Sequence, residues 1–298
     1  MPVPFEPPLS DFRYFARRET YLAWLASSQQ QEPRRASERP IAERLKNDES
    51  PSFYCHAHRG QGTLVHSAHA ITDHGYYWRE SGACGTCGAI TRVRLAAEWF
   101  VRAAVNLNEP RIYVTEQLTP LYKALRKTFP AIIGSEFVPA DEARETASVT
   151  LGHFLNEASA RIRHEDVCAL SFGNDALDLI GSFDVLEHVP DYHAALFELH
   201  RVLAPGGQLL LTAPFLDGSA TTLLRARLVD GEVEHVEAPE FHGNPTAPGD
   251  GVLCFYHFGW DLLDALRNIG FESVALLSAW GEQTAILGAQ CAIVAKKK

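Results

Sequence analysis

The 298-residue chain contains no apolar run of the roughly 18 residues that a helix needs to cross a bilayer. Its first residues, MPVPFEPPLSDF, lack the basic start and the apolar core of a signal peptide. Basic residues are in the minority, with 27 Lys and Arg against 37 Asp and Glu, and the formal net charge is −10. A nucleic-acid-binding surface normally carries a basic stripe. We therefore expect a cytoplasmic protein that binds neither membranes nor nucleic acid.

Methionine and cysteine are also scarce. The single Met, beside abundant Ala and Arg, indicates a GC-rich bacterial source. Six cysteines without a secretory signal indicate metal ligands or reduced thiols rather than a disulfide framework. The apolar fraction of 46% is that of an ordinary soluble globule. The length suits one large domain, or a domain with a small module.

The composition of the chain changes along its length and predicts three regions. Residues 1–51 form the first, in which apolar residues at helical spacing over 11–28 predict an amphipathic helix, and the polar stretch 29–51 reads as a linker or a loosely held helix. Residues 52–95 are rich in His, Cys, Gly and aromatics and predict a small module. Residues 96–298 form the third region and alternate between strand-like and helix-like segments.

The small module carries a metal-ligand pattern. Cys84 and Cys87 form a CxxCG knuckle, and Cys55 and His58 lie at the same spacing upstream. Together they predict a tetrahedral Cys3His site for a structural Zn²⁺, which would contribute folding energy to a module with little core of its own. Further candidate ligands are His56, His66, His69 and His74. The alternative is a bare cysteine pair with histidines in exposed loops.

The third region predicts an α/β fold. Residues 111–116 form a β-rich run, Thr119 and Pro120 are an N-cap and first-turn pair that opens a helix, and residues 131–138 form a second strand. Strands alternating with helices imply a parallel sheet with helices on both faces. In such sheets ligands bind beyond the carboxyl ends of the strands.

A longer pattern occupies residues 163–215. It reads as a buried strand, a loop with Glu187 and His188, an amphipathic helix, a Pro-Gly-Gly turn and a second buried strand. This order, with its LEHVPD and RVLAPGG pieces, resembles the second half of the class I S-adenosylmethionine (SAM)-dependent methyltransferases of the type 11-like group. The resemblance covers roughly residues 111–298, and the CxxCG knuckle resembles N-terminal zinc modules of some bacterial methyltransferases. It implies a Rossmann-like, doubly wound, mostly parallel seven-stranded sheet that ends in an antiparallel hairpin.

The resemblance also implies a cofactor site for SAM. The implied binding residues are Glu116, Gln117, Thr119, Glu136, Phe137, Asp166, Val167, Ser182 and Phe183. Of these, Glu116 would serve the methionine part, Glu136 the ribose hydroxyls, and Asp166 and Val167 the adenine. The family normally has a glycine-rich loop after Glu116, whereas this chain continues Gln-Leu-Thr-Pro without glycine. The contacts there must then come from side chains and from the positive end of the following helix.

The acceptor side is less specified by the sequence. His188 is the candidate general base because its ordinary pKa suits proton abstraction near neutrality, and its alternative role is to shape the loop. Residues 241–261 form a polar, glycine-rich insertion with the character of an active-site lid. Its candidate substrate-contacting residues are His242, Asn244, Tyr256 and His257.

Three functions agree with these patterns. The first is a SAM-dependent methyltransferase that acts on a small-molecule acceptor. The second is a methyltransferase fold that has lost catalysis and serves as a binding or scaffold protein, which the glycine-free turn favours. The third is a SAM-using enzyme with chemistry other than methyl transfer. The acidic residues Glu116, Glu136 and Asp166 together favour a ligand-binding site over a bare scaffold.

Overall fold

The computed structural model describes residues 7–65, 71–72, 75–138, 140–243 and 251–298. The chain divides into two compact units. The first consists of the described residues within Met1–Phe15, Glu19–Asn106 and Leu277–Cys291. The second consists of those within Ala16–Arg18, Leu107–Leu276 and Ala292–Lys298. The predicted boundaries at residues 51 and 95 stay a prediction.

The helices are α1 (Arg18–Ala26), α2 (Ser28–Lys46), α3 (Thr91–Ala104), α4 (Pro120–Thr128), α5 (Asp141–Leu155), α6 (Tyr192–Val202) and α7 (Asp261–Ile269), with a 3₁₀ turn at Leu186–His188. The first nine strands are β1 (Asp11–Phe15), β2 (Ser52–Cys55), β3 (Gly60–Val65), β4 (Ile71–Thr72), β5 (Gly75–Tyr76), β6 (Ala83–Cys84), β7 (Ile112–Val114), β8 (Ile133–Gly134) and β9 (Leu177–Phe183). The remaining strands are β10 (Leu203–Thr212), β11 (Leu223–Leu224), β12 (Ala226–Val229), β13 (Glu232–His235), β14 (Phe241–His242), β15 (Val252–Leu253), β16 (Tyr256–His257), β17 (Phe271–Gly281) and β18 (Ile286–Lys297).

The main sheet has seven strands in the order β1-β17-β18-β10-β9-β7-β8. Strand β7 pairs in parallel with β8 and β9, β9 pairs in parallel with β10, and β10 pairs antiparallel with β18. Strand β9 is almost entirely buried, and so is the end of β10 from Leu209 to Thr212, as expected for central strands that are covered on both faces. The predicted seven-stranded, mostly parallel α/β sheet is therefore confirmed.

Both edges of the sheet differ from the expected strand set. The predicted second strand shortens to Ile133–Gly134, and beyond it a single parallel bridge joins Glu136 to His164. The seventh strand is β1, at the edge next to β17. The turn residues Pro205, Gly206 and Gly207 lie within β10, where its register against β9 shifts.

The N-terminal segment corrects one expectation and decides between two alternatives. Residues Asp11–Phe15 form a strand rather than part of the first helix. Of the linker and the loosely held helix that the polar stretch allowed, the structure has the helix: α2 is 19 residues long and contains two prolines. Tertiary anchors hold this helix. Gln31 donates to the carbonyl of Trp24 at 3.0 Å, and Arg34 donates to the Asp11 carboxylate at 2.7 Å. These contacts offset the weak helix propensity of this polar, proline-containing segment.

The cysteine- and histidine-rich module contains a small antiparallel sheet, β2-β3-β6, in the first unit. Helix α3 begins at Thr91, within the predicted module, and the buried Arg94 side chain anchors its first turn through bonds to the carbonyls of Gly82 and Ala89. Within the described ranges, no helix combines the length and the apolar character that a bilayer crossing requires.

Candidate functional site

A cavity of about 530 Å³ opens in the second unit where three parallel strands end. Thr115 follows β7, Ser135 and Glu136 follow β8, and Asp184 follows β9, and all four line the cavity. The carboxyl ends of parallel strands share one edge of a sheet, and this edge is where α/β folds bind ligands. The remaining lining residues are Tyr113, Phe137, Glu165, Asp166, Val167, Cys168, Val185, His188, Val189, Pro190, Asp191, Gly243 and Val252.

The ionisable groups that line the cavity are mainly acidic. Five carboxylates line it, from Glu136, Glu165, Asp166, Asp184 and Asp191. Among the described lining residues there is neither Lys nor Arg. The site therefore favours a cationic ligand by Coulomb attraction.

Glu136 lies at the end of β8 and organises the neighbouring turn. Its Oε1 accepts the backbone N–H of Gln117 at 2.7 Å and that of Leu118 at 2.9 Å. Burial raises the pKa of Glu136 above its ordinary value, and the two backbone hydrogen bonds oppose that shift. Both amides bond to the same oxygen, so the acid ties the glycine-free turn to the floor of the cavity.

The glycine-free turn itself uses its polar side chains for internal bonds. Thr119 donates to the Glu116 carboxylate at 2.5 Å and accepts the N–H of Tyr122 at 3.2 Å, which makes it the N-cap of α4 as predicted. The Gln117 side chain accepts the N–H of Arg163 at 2.7 Å. Glu116, Gln117 and Thr119 are outside the described cavity lining. Their predicted contact with a cofactor stays a prediction.

The turn packs closely against β8 at Gly134. A Cβ atom on Gly134 would lie 2.5 Å from the carbonyl oxygen of Glu116 and 2.8 Å from Cγ of Gln117. The glycine that permits close backbone approach is therefore on the neighbouring strand and not in the loop after Glu116.

The segment after His164, which is bridged to Glu136, carries the predicted adenine-binding residues Asp166 and Val167. Asp166 accepts the N–H of Cys168 at 2.8 Å, and Val167 is nearly buried beside it. Phe137 lies on the cavity wall with 62% of its surface exposed. Glu165 accepts the N–H of Ser171 at 2.8 Å, which anchors the segment.

Two predicted residues on β9 lie behind the cavity wall. Ser182 is fully buried, and Thr115 donates to its hydroxyl at 3.4 Å. Phe183 is 8% exposed and is not among the described lining residues. Asp184 lines the cavity and also accepts a bond from Thr212 at 3.1 Å.

His188 faces the cavity from the turn after β9. Its Nδ1–H donates to the carbonyl of Leu253 at 2.8 Å, so the lone pair of the ring is on Nε2. Burial lowers the pKa of His188, and the neighbouring His242 ring lowers it further. The bond to the Leu253 carbonyl raises the pKa and so opposes this shift. The predicted base therefore presents a neutral imidazole nitrogen.

Two of the four predicted lid residues share one carboxylate. His242 Nε2–H donates to Glu240 at 2.9 Å, and His257 Nε2–H donates to the same oxygen at 3.1 Å. Tyr256 instead donates to the carbonyl of Pro190 at 2.6 Å. Asn244 lies outside the described residues. The structure thus brings together His188, His242 and His257 but places the Tyr256 hydroxyl elsewhere.

The predicted metal ligands of the first unit also come together. The sulfur atoms of Cys55 and Cys87 lie 3.8 Å apart, and Nδ1 of His58 lies 3.3 Å from Cys87 and 3.7 Å from Cys84. All four ligand atoms lie within 4.8 Å of one another. His58 Nε2–H donates to the carbonyl of Gln61 at 3.2 Å, which turns Nδ1 toward the sulfurs.

One other candidate ligand of this module, His56, is separate from the cluster. His56 is buried and donates to the carbonyl of Pro8 at 2.9 Å. His66, His69 and His74 lie outside the described residues. Arg94 is fully buried with its guanidinium over the Phe53 ring, and burial lowers its pKa to about 10 while the three cysteines oppose that shift. A cation in this position complements thiolates.

Sequence reasoning missed several cavity residues. Thr115, Ser135, Glu165 and Asp191 line the cavity, and Glu240 holds two histidines. The first two lie in the second halves of the predicted strands 111–116 and 131–138, so the rule on carboxyl ends of strands was a usable signal for them. No sequence signal identified Glu240.

Comparisons with solved structures give distant likenesses. CalS10, an amino pentose methyltransferase from Micromonospora echinaspora, is 18% identical with a TM-score of 0.45, over 68% of this chain and 90% of that chain. PigF with SAH is 17% identical with a TM-score of 0.40, over 67% of this chain and 57% of that chain. A putative sarcosine dimethylglycine methyltransferase from Galdieria sulphuraria is 16% identical with a TM-score of 0.34, over 41% of this chain and 46% of that chain. The chain thus spans about half the length of the last two, and the likenesses identify no substrate.

No curated protein gives a significant match. The family description "Methyltransferase domain" matches residues 118–276, which is more than half of the 298 residues. The matched range includes α4, β9, α6 and β10, and most of the residues that line the cavity. The expectation of a methyltransferase is therefore confirmed at the level of the family, and the chain belongs to the methyltransferase domain family.

Proposed function

We propose that the protein is a SAM-dependent methyltransferase that methylates a small-molecule acceptor in the cavity at the ends of β7, β8 and β9. The observation that carries this proposal is the acidic lining of that cavity. SAM has a positive sulfonium, and the charge disappears when the methyl group leaves. Carboxylates therefore favour the cofactor over its product, which assists product release.

The cavity supports a division into a cofactor end and an acceptor end. Glu136 uses Oε1 for the turn, and we assign its Oε2 to the ribose hydroxyls. We assign Phe137, Asp166 and Val167 to the adenine, as the resemblance implied. His188 lies on the wall with Pro190 and contributes its Nε2 lone pair to the acceptor end.

Alignment supplies much of the rate in such a reaction. Transfer from a sulfonium is a displacement in which the acceptor atom must lie in line with the methyl group. A volume of about 530 Å³ is within the usual range of small-molecule sites, which supports a small acceptor.

Calorimetric titration tests the cofactor assignment. We expect the parent protein to bind SAM more tightly than S-adenosylhomocysteine. Glu136→Gln should weaken SAM roughly 10- to 100-fold, equivalent to about 1.4 to 2.7 kcal/mol, because a neutral amide accepts weaker bonds from the ribose. The control Asp264→Asn, at an exposed ion pair on α7, should leave affinity unchanged. Equal affinity of the parent and Glu136→Gln would contradict the ribose assignment.

The scaffold function keeps one supporting observation. Glu116, Gln117 and Glu136 all make internal hydrogen bonds that stabilise the turn without a cofactor. A parent protein that binds neither SAM nor S-adenosylhomocysteine would favour this second function.

We also propose that Cys55, His58, Cys84 and Cys87 hold a structural Zn²⁺. A tetrahedral ion with bonds of about 2.3 Å to sulfur separates two sulfur ligands by about 3.8 Å, and the Cys55 and Cys87 sulfurs have this separation. Four protein ligands leave no open position, so the ion contributes stability and not catalysis. Elemental analysis should find zinc in the parent, and Cys84→Ser with Cys87→Ser should remove it.

A glycine pair provides a milder test of the zinc proposal. A Cβ on Gly62 would lie 2.7 Å from the Cys84 sulfur, whereas a Cβ on Gly60 makes only an ordinary contact of 3.4 Å with the His58 ring. Gly62→Ala should therefore weaken zinc retention against a competing chelator, and Gly60→Ala should not. Equal retention by both variants would contradict the assigned geometry.

A further inference from the structure

We propose that Glu187, His188 and His242 form a second metal site, which binds a divalent transition-metal ion at the acceptor end of the cavity. This site shares no residue with the proposed zinc site of the first unit, because all three residues belong to the second unit. Two histidines and one carboxylate are a donor set that catalytic metal sites use.

The three ligand atoms are close enough to share one ion. Oε1 of Glu187 lies 3.8 Å from Nε2 of His188 and 3.6 Å from Nδ1 of His242. All three atoms lie within 4.8 Å of one another. Bonds of about 2.0 to 2.2 Å to nitrogen and oxygen separate tetrahedral ligands by about 3.4 Å. The two distances to Glu187 therefore exceed the tetrahedral separation by only a few tenths of an ångström, and the three atoms are near enough for one ion to draw them together.

Outer hydrogen bonds already orient both imidazoles. His188 donates from Nδ1 to the carbonyl of Leu253, which leaves Nε2 as the lone pair that faces Glu187. His242 donates from Nε2 to Glu240, which leaves Nδ1 as the lone pair that faces Glu187. Histidines that bind metals usually donate their other N–H to a carbonyl or a carboxylate. Here His188 donates to a carbonyl and His242 donates to a carboxylate.

The fold positions the three residues by a short hairpin. Strands β14 and β15 pair His242 with Val252, and the Leu253 carbonyl then reaches His188. The N–H of Phe255 donates to the backbone carbonyl of Glu187 at 2.6 Å. The Glu187 side chain is fully buried. A carboxylate that is removed from water is stabilised by a nearby cation, which a metal ion would provide.

The donor set selects the class of ion. Two imidazole nitrogens and one carboxylate oxygen suit Zn²⁺, Fe²⁺ or Co²⁺, whereas Ca²⁺ and Mg²⁺ prefer oxygen ligands. Three protein ligands leave at least one open position. His188 lines the cavity, so that position is available to a donor atom of the acceptor. This last step rests on the proposed methyltransferase function, and metal binding itself does not. With the ion bound, the Nε2 lone pair of His188 is a metal ligand and does not accept a proton from the acceptor.

A neighbouring set, Glu240, His242 and Cys254, is the competing position for an ion. Its members already use their polar atoms in hydrogen bonds that do not point at a shared ion. His242 donates from Nε2 to Glu240, and the Cys254 thiol donates to the carbonyl of Tyr256 at 3.3 Å. Because the His242 lone pair is on Nδ1, toward Glu187, we place the ion there.

Titration of the metal-free full chain with Co²⁺ alone tests the proposal. Thiolate ligands of Co²⁺ give a strong charge-transfer band in the near ultraviolet, whereas imidazole and carboxylate ligands give only weak visible d–d bands. We expect one equivalent of Co²⁺ to produce the thiolate band at the cysteine cluster. A second equivalent should add visible absorbance without it. If the visible absorbance never rises without the thiolate band, the second site does not exist.

Variants show which residues bind the second equivalent of Co²⁺. His188→Ala and His242→Ala should each lose it and keep the thiolate band, which also reports that the first unit is folded. Cys254→Ala should keep both equivalents. Retention of the second equivalent by His242→Ala, or its loss in Cys254→Ala, would overturn the assignment. The parent titration decides alone if a histidine variant does not fold, and SAM titration of the same samples tests the methyltransferase function separately.

Discussion

Individual carboxylates in the second unit have different physical roles even though they line one cavity. Glu165 accepts bonds from the N–H and the hydroxyl of Ser171 at 2.8 and 2.6 Å, and from Arg163 at 2.7 Å. Burial raises the pKa of Glu165, but these bonds outweigh burial and hold the pKa below its ordinary value of 4.5. Glu136 shows the reverse, because burial dominates and raises its pKa. Glu165 is thus the structural acid of the pair.

Replacing Glu165 should change how the unfolding free energy depends on pH. A lowered folded-state pKa means that the unfolded chain binds more protons in this range, so the stabilisation is present above pH 4.5 and disappears as pH falls through the folded-state pKa. Glu165→Gln should lose roughly 1 to 3 kcal/mol of unfolding free energy at pH 7. Urea unfolding of parent and variant at several pH values measures the gap, which should shrink below pH 4.5. A gap that stays constant with pH would contradict this role.

Exposed Glu157 provides the control. It pairs with Arg126 at 3.0 Å with nearly half of its side chain exposed. Glu157→Gln should lose less than about 1 kcal/mol at neutral pH, since exposed ion pairs contribute little.

At the scale of elements, the turn between β7 and α4 shows what sequence reasoning can and cannot find. The Thr119 and Pro120 pair predicted the start of α4 correctly, because capping is a local property. The missing glycine in the turn suggested a defect in the cofactor site. The close approach is instead permitted by Gly134 on β8, and this pairing depends on register across the sheet, which no local pattern contains.

Gly134→Ala should therefore displace the turn. Its Cβ would lie 2.5 Å from a backbone oxygen and 2.6 Å from the Tyr122 ring, and neither can move freely. We expect a loss of roughly 1 to 3 kcal/mol in unfolding free energy, together with weaker SAM binding, because the amides bonded to Glu136 shift with the turn. Gly173→Ala is the matched control, as its Cβ would meet no described atom within 4 Å. Identical unfolding curves for the two variants would contradict the packing argument.

At the scale of the whole molecule, the alternation of strands and helices predicted the main sheet, and the knuckle spacing predicted which four side chains of the first unit meet. Both depend on patterns within short segments. The strand at Asp11–Phe15 was missed, and the helix α2 was predicted only as an alternative to a linker, because their stability comes from distant partners such as the Arg34 and Asp11 pair. Glu240 was missed for the same reason, since its histidine partners meet it only in the folded chain.

The two units should respond differently to removal of zinc. In the first unit, the N–H of Tyr54 donates to the carbonyl of Gln283 and that of Leu64 to the carbonyl of Pro51, both at 2.8 Å and both next to the proposed ligands. Chelation should speed hydrogen exchange of these amides by roughly tenfold or more, because the module loses the ion that stabilises it. The Leu210 and Leu211 amides of β10, in the second unit, should keep their exchange rates. Added Zn²⁺ should restore protection of Tyr54 and Leu64. Equal acceleration in both units, or none in either, would show that the cysteine cluster does not stabilise its module through a metal.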